Sequence, residues 1–270
     1  MKVLLTGAAG RIGTKLRREL AGRYELLRCF DRLPTQDLRE NEEGIVGDIS
    51  DLSVVERAMD SIDGVIHMAG VPFEADFDTL LPTNIIGLWN VYEAARKKGA
   101  KRVVFGSSNH AVGFYPRSET IDHTALPRPD SQYGLTKCWG EAVGALYADK
   151  YGVKSLHVRI GNAGEEPTSK RLMAIWISGR DLAQLCRIGL EHPAIHNDIV
   201  YGVSNNSTSW YDNSHAHSLG YAPQDSADAF AEAAAAGEAK VVFNPVERYY
   251  QGGLFCALEY AGDPVPQSDR

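Results

Sequence analysis

A tyrosine and a lysine lie four residues apart in the segment YGLTK, at Tyr133 and Lys137. In a helix this spacing places both side chains on one face, one turn apart. A free phenol has a pKa of about 10, which makes it a poor proton carrier at neutral pH. A nearby lysine ammonium stabilises the phenolate and lowers that pKa, so the pair is suited to moving a proton to or from a hydroxyl or carbonyl. The same spacing also occurs on helices without catalytic function, so the pair is informative only beside a cofactor site.

The segment GSSNH follows the apolar run RVVF and crowds four polar side chains onto the end of one predicted strand. Serine and asparagine at a strand end often bond only to their own backbone. The alternative is an active-site wall, in which Ser108, 25 residues before Tyr133, bonds the same substrate oxygen as the phenol. Asn109 and His110 then contact further groups, which favours a substrate with several hydroxyls.

Three glycines in the segment TGAAGRIG, at Gly7, Gly10 and Gly13, lie between the first predicted strand and the first predicted helix. In this position the first glycine makes a tight turn, the second lets the backbone approach a pyrophosphate, and the third lets the helix pack against the strand. The N–H groups and the dipole of the helix N-terminus then face the phosphates. The pattern predicts a dinucleotide site, although glycine trios also occur at ordinary turns.

Two aspartates at strand ends extend this prediction. Asp31 ends the second strand, 18 residues after Gly13, where a carboxylate can bond both hydroxyls of the adenosine ribose and repel a 2′-phosphate. NAD is therefore favoured over NADP, although Arg32 could accept the phosphate and Asp31 could simply cap a loop. Asp48 ends the third strand and is expected near the adenine or, alternatively, as the N-cap of the next helix.

The elements that position these residues alternate along the chain. The segments KVLLTG, YELLRCFD, GIVGD, DGVIHMAG, KRVVFGSS and KSLHVRIG are predicted strands, and helical patterns separate them. This alternation predicts an α/β fold with a doubly wound parallel sheet, the Rossmann fold. After residue 162 the regularity fades, and a helix, a strand (IVYGVSN) and an aromatic-rich segment predict a small C-terminal substrate cap. We expect one domain over 1–270, with 1–162 mainly forming the NAD-binding core and 163–270 mainly the substrate cap and C-terminal elements.

Two helices carry more detailed expectations. Ser50 is expected to be the N-cap of the helix in SDLSVVERAMD. The long helix through NIIGLWNVYEAARKKG is expected to carry Ile85, Leu88, Trp89 and Tyr92 on one face, as their spacing indicates.

Composition excludes several classes of function. The chain has 270 residues, 44% of them hydrophobic, and a net charge of −7, so a general nucleic-acid or membrane-surface binder is not expected. The four cysteines are scattered, and neither a signal peptide nor a membrane span is visible, which indicates a cytoplasmic protein. His215 and His217 form the one HxH pair, and without nearby ligands we expect no metal site. An anionic substrate would need a local cation.

The chain resembles the extended short-chain dehydrogenase/reductase family. The residues that carry the resemblance are TGAAGRIG, the set Ser108, Tyr133 and Lys137, HMAG at 67–70, and Asn84 in NIIG. More narrowly, SSNHAVGFYP, YGLTKCWGE, VRIGN, WYDNSH and QGGLF resemble bacterial uronate dehydrogenases. The resemblance implies NAD-dependent oxidation of the C1 hemiacetal hydroxyl of glucuronate or galacturonate to an aldarolactone.

The resemblance also implies roles for individual residues. Ser108, Tyr133 and Lys137 would be catalytic. The expected NAD-binding residues are Gly7, Gly10, Arg11, Ile12, Gly13, Asp31, Asp48, Ile49, Met68, Ala69, Gly70, Asn84, Lys137 and Ala163. The expected substrate-binding residues are Ser108, Asn109, His110, Tyr133, Asn162 and Arg171, with Arg171 holding the carboxylate through two parallel bonds. Pro72 departs from the family, in which a small hydroxyl residue is expected there, and leaves the preferred uronate open.

Two other functions remain open from the sequence. A nucleotide-sugar epimerase or dehydratase of the same superfamily would also bind NAD, but the C-terminal part is short for a nucleoside diphosphate pocket. A non-catalytic NAD-sensing regulator could share the fold, but such proteins often lose the tyrosine or the lysine. By analogy with the superfamily, the helices at 76–98 and 131–151 are expected to pair in a homo-oligomer.

Overall fold

One sheet of seven parallel strands forms the centre of the molecule. The computed structural model describes residues 1–266. The strands are β1 (Lys2–Thr6), β2 (Leu26–Asp31), β3 (Glu42–Val46), β4 (Gly64–His67), β5 (Arg102–Ser108), β6 (Lys154–Ile160) and β7 (Asn197–Gly202). Their order across the sheet is β3-β2-β1-β4-β5-β6-β7. The chain therefore winds one way from β1 and then the other way from β4, which confirms the Rossmann fold and places a ligand crevice at the carboxyl ends of β1 and β4.

Eleven α-helices in the described residues surround the sheet and form its C-terminal cover. They are α1 (Arg11–Glu19), α2 (Leu52–Ala58), α3 (Phe77–Leu80), α4 (Leu88–Lys98), α5 (Gln132–Tyr151), α6 (Lys170–Ala174), α7 (Gly179–Glu191), α8 (Ser214–Ser218), α9 (Ala231–Glu238), α10 (Pro245–Tyr249) and α11 (Leu254–Ala257). A π-helical segment, Leu81–Gly87, joins α3 to α4. None of the helices that the structure describes is long and apolar enough to cross a membrane.

The two faces of the sheet bury separate cores. In β1, Val3 and Leu5 belong to the core shared with α1 and α7, whereas Leu4 belongs to the core shared with α2, α4 and α5. All three residues are fully buried. This pattern follows from side chains alternating along a strand that is covered on both faces.

The strand predicted at IVYGVSN joins the central sheet. Strand β7 pairs with β6 in parallel, with Ile160 opposite Gly202, and helix α7 packs against strands of the sheet. Both elements lie within the part that was expected to form mainly the cap and C-terminal elements. The cap therefore consists of α6 and the chain after β7, because the 179–202 unit buries its apolar residues in the sheet core instead.

One detailed helix expectation is wrong. The N-cap of α2 is Asp51, whose side chain accepts bonds from the backbone N–H groups of Ser53 and Val54, and not Ser50. On α4, Leu88 and Tyr92 are fully buried, whereas Trp89 is 39% exposed.

A buried ion pair fastens α5 to the sheet. Arg159 on β6 donates to both carboxylate oxygens of Glu141 on α5, at 3.0 and 2.9 Å. Ser107 on β5 donates to the same carboxylate at 2.7 Å. Burial alone would raise the pKa of Glu141, but the bonds and charge of Arg159 outweigh it and lower that pKa. Removing one partner of such a pair leaves an uncompensated buried charge, so the position of α5 is strongly specified.

Candidate active site

A cleft of about 380 Å³ lies at the carboxyl ends of β1, β2 and β4. Eleven of the fourteen residues expected to bind NAD line it: Gly7, Gly10, Arg11, Ile12, Gly13, Asp31, Asp48, Ile49, Met68, Ala69 and Gly70. Pro72 also lines the cleft, on the loop after β4. The sequence prediction therefore located the cleft, although Asn84, Lys137 and Ala163 are not among its lining residues.

The three glycines leave room that other residues would fill. Gly7 has φ +73°, and a Cβ there would lie 2.7 Å from the backbone nitrogen of Ala69. A Cβ at Gly13 would lie 2.1 Å from the carbonyl oxygen of Gly7, so α1 packs against the end of β1 only without a side chain. Gly10 is the N-cap of α1 and supplies no side-chain cap. The first-turn N–H groups are thus open to a ligand anion, which fits the pyrophosphate of a dinucleotide.

Asp31 caps the loops beside the cleft and keeps acceptor capacity for the ribose hydroxyls that the sequence predicts it to bind. Its carboxylate accepts bonds from the backbone N–H groups of Ala9, at 3.0 Å, and Leu33, at 3.1 Å. These bonds fix the loops on either side of the cleft. Each carboxylate oxygen can accept a further bond, so the same group can still receive ribose hydroxyls. Asp48 also lines the cleft, and it accepts from the N–H of Ser50 rather than capping α2.

The side chain of Asn84 is occupied by protein groups. Its oxygen accepts from the N–H of Val71 at 2.8 Å, and its nitrogen donates to the carbonyl of Val71 and to the hydroxyl of Thr136. Asn84 therefore holds the cleft-lining segment after β4 and has no side-chain N–H left to donate to a cofactor. Ala163 is buried, and its carbonyl accepts from Lys15 on α1.

The three residues expected to be catalytic meet beside this cleft. Tyr133 and Lys137 lie one turn apart on α5, and the Lys137 ammonium is 5.4 Å from the centre of the Tyr133 ring. The ammonium donates to the carbonyl of Gly106 at 2.8 Å. It also reaches the cleft, since a Cβ on Gly70 would lie 3.9 Å from it. Ser108 ends the neighbouring strand β5.

Burial dominates the ionisation of these groups. It raises the pKa of the Tyr133 phenol to about 12, while hydrogen bonding with Ser108 opposes the increase and the charge of Asp130 adds to it. Burial lowers the pKa of the Lys137 ammonium to about 8, and the carboxylate of Glu141 opposes that decrease. The expectation that Lys137 brings the phenol pKa below its ordinary value is therefore wrong for the cofactor-free site.

Glu74 fixes the start of α5, and the sequence reasoning missed it. Its carboxylate accepts from the backbone N–H groups of Gln132, at 3.0 Å, and Tyr133, at 2.8 Å. A carboxylate at a helix N-terminus is favourable because it satisfies free donors and faces the positive end of the helix dipole. No local pattern connects Glu74 to a helix that begins 58 residues later.

A second pocket, of about 330 Å³, lies beyond Tyr133 and contains Arg171 and His110. Arg171 donates through Nε to the carbonyl of Gln251 at 2.8 Å and through Nη2 to the carbonyl of Gly252 at 2.7 Å. These bonds use two of the five N–H groups of the planar guanidinium, both on its Nε–Nη2 edge. The opposite end, between Nη1 and Nη2, retains the geometry for two parallel bonds to a carboxylate.

Two further pocket residues were not assigned from the sequence. Arg117 donates to the carbonyls of Tyr250 and Glu247, at 3.1 and 2.6 Å. Burial, and secondarily the charge of Arg171, lowers its pKa to about 10, so it stays charged at neutral pH. Phe255 stacks on His110 with ring centres 4.0 Å apart. Phe255 is the last residue of the segment QGGLF. That segment contributed to the family resemblance, but it did not indicate which of its residues lines the pocket.

The structure places the two asparagines differently. Asn109 is 2% exposed, and its side-chain nitrogen is buried without a hydrogen-bond partner, next to Ser108. A buried donor of this kind is costly unless something binds it. Asn162 accepts from the N–H of Gly164 through its side-chain oxygen.

His215 and His217 point to different partners. His215 Nε2 bonds the carboxylate of Asp198, and His217 Nδ1 bonds the carbonyl of Tyr221, both at 2.8 Å. Residues 1–266 contain no group of three or more His, Cys, Asp or Glu side chains arranged to hold a metal.

Comparison with known proteins agrees with this geometry. The model of the NAD dependent epimerase/dehydratase family matches residues 3–198. The uronate dehydrogenase of Pseudomonas putida is 45% identical over 94% of this chain and 95% of its own. A uronate dehydrogenase mutant from Agrobacterium tumefaciens, solved in complex with NAD, is similar with a TM-score of 0.90 at 36% identity over 99% of both chains. Glucuronic acid dehydrogenase from Chromohalobacter salexigens is similar with a TM-score of 0.89 at 38% identity, over 95% of this chain and 96% of its own.

The position of Asp31 predicts a cofactor preference. We expect NAD to be preferred over NADP by at least about tenfold in kcat/KM, about 1.4 kcal/mol, because the carboxylate repels a 2′-phosphate. Asp31→Ala should reduce the preference for NAD. Glu40 is an exposed acidic residue in the same loop between β2 and β3, and Glu40→Ala should leave the preference unchanged. Equal kcat/KM values for both cofactors in the unmodified protein would contradict the assignment.

Proposed function

This chain belongs to the uronate dehydrogenases of the NAD dependent epimerase/dehydratase family and oxidises a uronate with NAD, and we propose that the reaction occurs at C1 of cyclic D-glucuronate or D-galacturonate and yields the aldarolactone. The observation that carries the proposal is the position of Tyr133. Its ring centre lies 5.9 Å from that of His110, which lines the pocket with Arg171. It also lies 5.4 Å from the Lys137 ammonium, which reaches the dinucleotide cleft at Gly70.

The dinucleotide cleft accommodates NAD, and the pocket with Arg171 accommodates the sugar acid. The carboxylate of the sugar acid lies at the free end of the Arg171 fork, and Arg117 adds a second positive charge nearby. The sugar hydroxyls face Asn109 and His110, and the buried donor of Asn109 gains a partner. The C1 hydroxyl then lies against Ser108 and Tyr133, next to the cleft.

Proton transfer in this site depends on added positive charge. The phenol holds its proton at neutral pH in the cofactor-free site, because burial raises its pKa to about 12. When bound, NAD accepts the hydride that leaves C1 and, in its oxidised form, carries a positively charged ring. Ser108 orients the substrate oxygen, and Tyr133 acts as the phenolate: its own proton first passes to solvent, and it then receives the proton of the C1 hydroxyl. The Lys137 ammonium stabilises the phenolate by its positive charge.

The nearly full-length similarity favours this function over the alternatives. The chain matches uronate dehydrogenases over 94% of its length, including the C-terminal pocket. A nucleotide-sugar epimerase would need space for a nucleoside diphosphate beyond this pocket. The four cysteines are free thiols, which supports the cytoplasmic location expected from the sequence.

Removing the phenol hydroxyl tests the proton-transfer role. Tyr133→Phe should lower kcat about 100-fold or more while NAD affinity changes little, because the phenol moves a proton but does not hold the cofactor. Lys137→Ala should lower both kcat and NAD affinity. Steady-state kinetics and a fluorescence titration with NAD measure the two effects. Near-normal turnover by Tyr133→Phe would require another base, and His110 is the first residue to test.

Removing the guanidinium tests the substrate class. A two-point contact of this kind is worth about 2–4 kcal/mol when one partner is truncated, so Arg171→Ala should raise KM for the uronate about 30-fold or more. Because Arg171 also holds the carbonyls of Gln251 and Gly252, the decisive quantity is the ratio of kcat/KM for a uronate to that for its parent hexose. The ratio should fall in Arg171→Ala and recover only in part in Arg171→Lys.

Lys170→Ala provides the matched control, since Lys170 is the exposed cation beside Arg171. It should leave the uronate-to-hexose ratio unchanged. An unchanged ratio in Arg171→Ala would mean that the carboxylate is held elsewhere.

We also propose that the protein is a homo-oligomer that pairs through the outer face of α4 and α5. Five large apolar residues on and next to these helices are 39–55% exposed: Ile86, Trp89, Leu135, Trp139 and Leu146. Several large, partly exposed apolar side chains on adjacent helices are typical of an interface between protein subunits.

A charge on this face should weaken the assembly. Sedimentation equilibrium should show a multiple of the chain mass for the unmodified protein and smaller species for Leu146→Glu. Val242→Glu, at a side chain that is 99% exposed and lies outside these helices, should have no effect. A monomeric unmodified protein at micromolar concentration would contradict the proposal.

A further inference from the structure

A fully buried carboxylate lies directly before α5. The side chain of Asp130 is 0% exposed. One oxygen accepts from Ser131 Oγ, and the other bonds His110 Nδ1, each at 2.7 Å. None of the roles assigned above uses this carboxylate, although it bonds directly to a residue that lines the sugar pocket.

Two other chain segments are shaped around the same carboxylate. A Cβ on Gly113 or on Gly252 would lie 1.8 Å from the Asp130 oxygen that bonds His110. Neither position can carry a side chain while that bond exists. Gly252 is also the residue whose carbonyl accepts from Arg171. The fold therefore reserves this space for the Asp130–His110 bond.

The bond determines which imidazole nitrogen carries the proton. A carboxylate can only accept hydrogen bonds, so Nδ1 is the donor, and in the neutral ring Nε2 is then an acceptor. The ring cannot turn away, because Phe255 stacks on it at 4.0 Å and Tyr133 meets its face edge-on at 5.9 Å.

We propose that Asp130 is a positioning residue that presents His110 Nε2 as an acceptor for one ring hydroxyl of the sugar acid. This inference rests on the proposed function and adds a determinant of substrate binding to it. The neighbouring Asn109 nitrogen supplies a donor and Arg171 binds the carboxylate, so His110 contributes the acceptor that completes the recognition of a hydroxylated acid. The other ionisable groups that interact electrostatically with Asp130 are Arg171, Tyr133, Tyr211, Cys138 and Cys256.

A double-mutant cycle tests whether Asp130 acts through His110. Asp130→Asn should lower kcat/KM for the uronate about 10- to 100-fold, mainly through KM, with NAD affinity unchanged. In the His110→Ala background the same substitution should change kcat/KM less than about twofold. Effects that multiply in the double mutant would show a merely structural role for Asp130 and overturn the proposal.

Ser131→Ala is the matched control, because it removes the other partner of Asp130 and the N-cap of α5 while leaving the bond to His110. It should lower thermal stability with little change in KM. A KM increase as large as that of Asp130→Asn would indicate that any disturbance of this helix end produces the effect, and would overturn the proposal.

The imidazole tautomer can be measured on the unmodified enzyme without substrate. Long-range ¹H–¹⁵N spectra of histidine-labelled protein resolve the tautomers of its eight histidines, and His110→Gln assigns the signal of interest. We expect the Nδ1–H form, and an Nε2–H form would overturn the proposal even if Asp130→Asn does not fold. A correct tautomer without turnover of any uronate would instead contradict the proposed function alone.

Discussion

The candidate active site depends on keeping the ammonium of Lys137 charged in a largely buried position. Lys137 is 9% exposed, and burial lowers its pKa to about 8. Two contacts oppose that loss of charge: the carbonyl of Gly106 accepts a bond from the ammonium, and Glu141 lies one helical turn further along α5. A buried charge is tolerated only when it is paired and hydrogen-bonded, so these contacts define where α5 must lie.

The need to pair buried charges also applies to residues on the sheet. Glu141 is itself a buried charge and is balanced by Arg159 on β6, with Ser107 on β5 as a further donor. Ser107 is next to Ser108, which is predicted to contact the substrate. The series Lys137, Glu141, Arg159 thus joins the proton-transfer site to two central strands. Movement of α5 relative to the sheet would separate opposite charges in a low-dielectric interior, which is energetically costly.

Substrate recognition depends on a different part of the chain. The net charge of −7 gives no long-range attraction for an acid, so recognition must be local. Arg117 and Arg171 both donate to carbonyls between Glu247 and Gly252. In doing so they hold the C-terminal segment over the pocket, where Phe255 covers His110. The two arginines proposed to bind the sugar acid therefore also fix one wall of the pocket.

The sequence alone determined the features that depend on local spacing. The glycine positions around Gly10, the apolar runs of the strands and the four-residue spacing of Tyr133 and Lys137 require only short-range geometry. From these the Rossmann fold, the location of the dinucleotide cleft and the catalytic helix could be predicted. The family resemblance supplied the NAD dependence and the substrate class, and Arg171 was found by its match to that family.

Only the tertiary structure decided what depends on contacts between distant residues. The capping of α5 by Glu74, the engagement of Asn84 with Val71, and the placement of β7 beside β6 join parts of the chain that no local pattern relates. The pKa of Tyr133 is the clearest case. Spacing on a helix indicates that Lys137 should lower it, but burial raises it, because desolvation depends on everything packed around the phenol rather than on one neighbour.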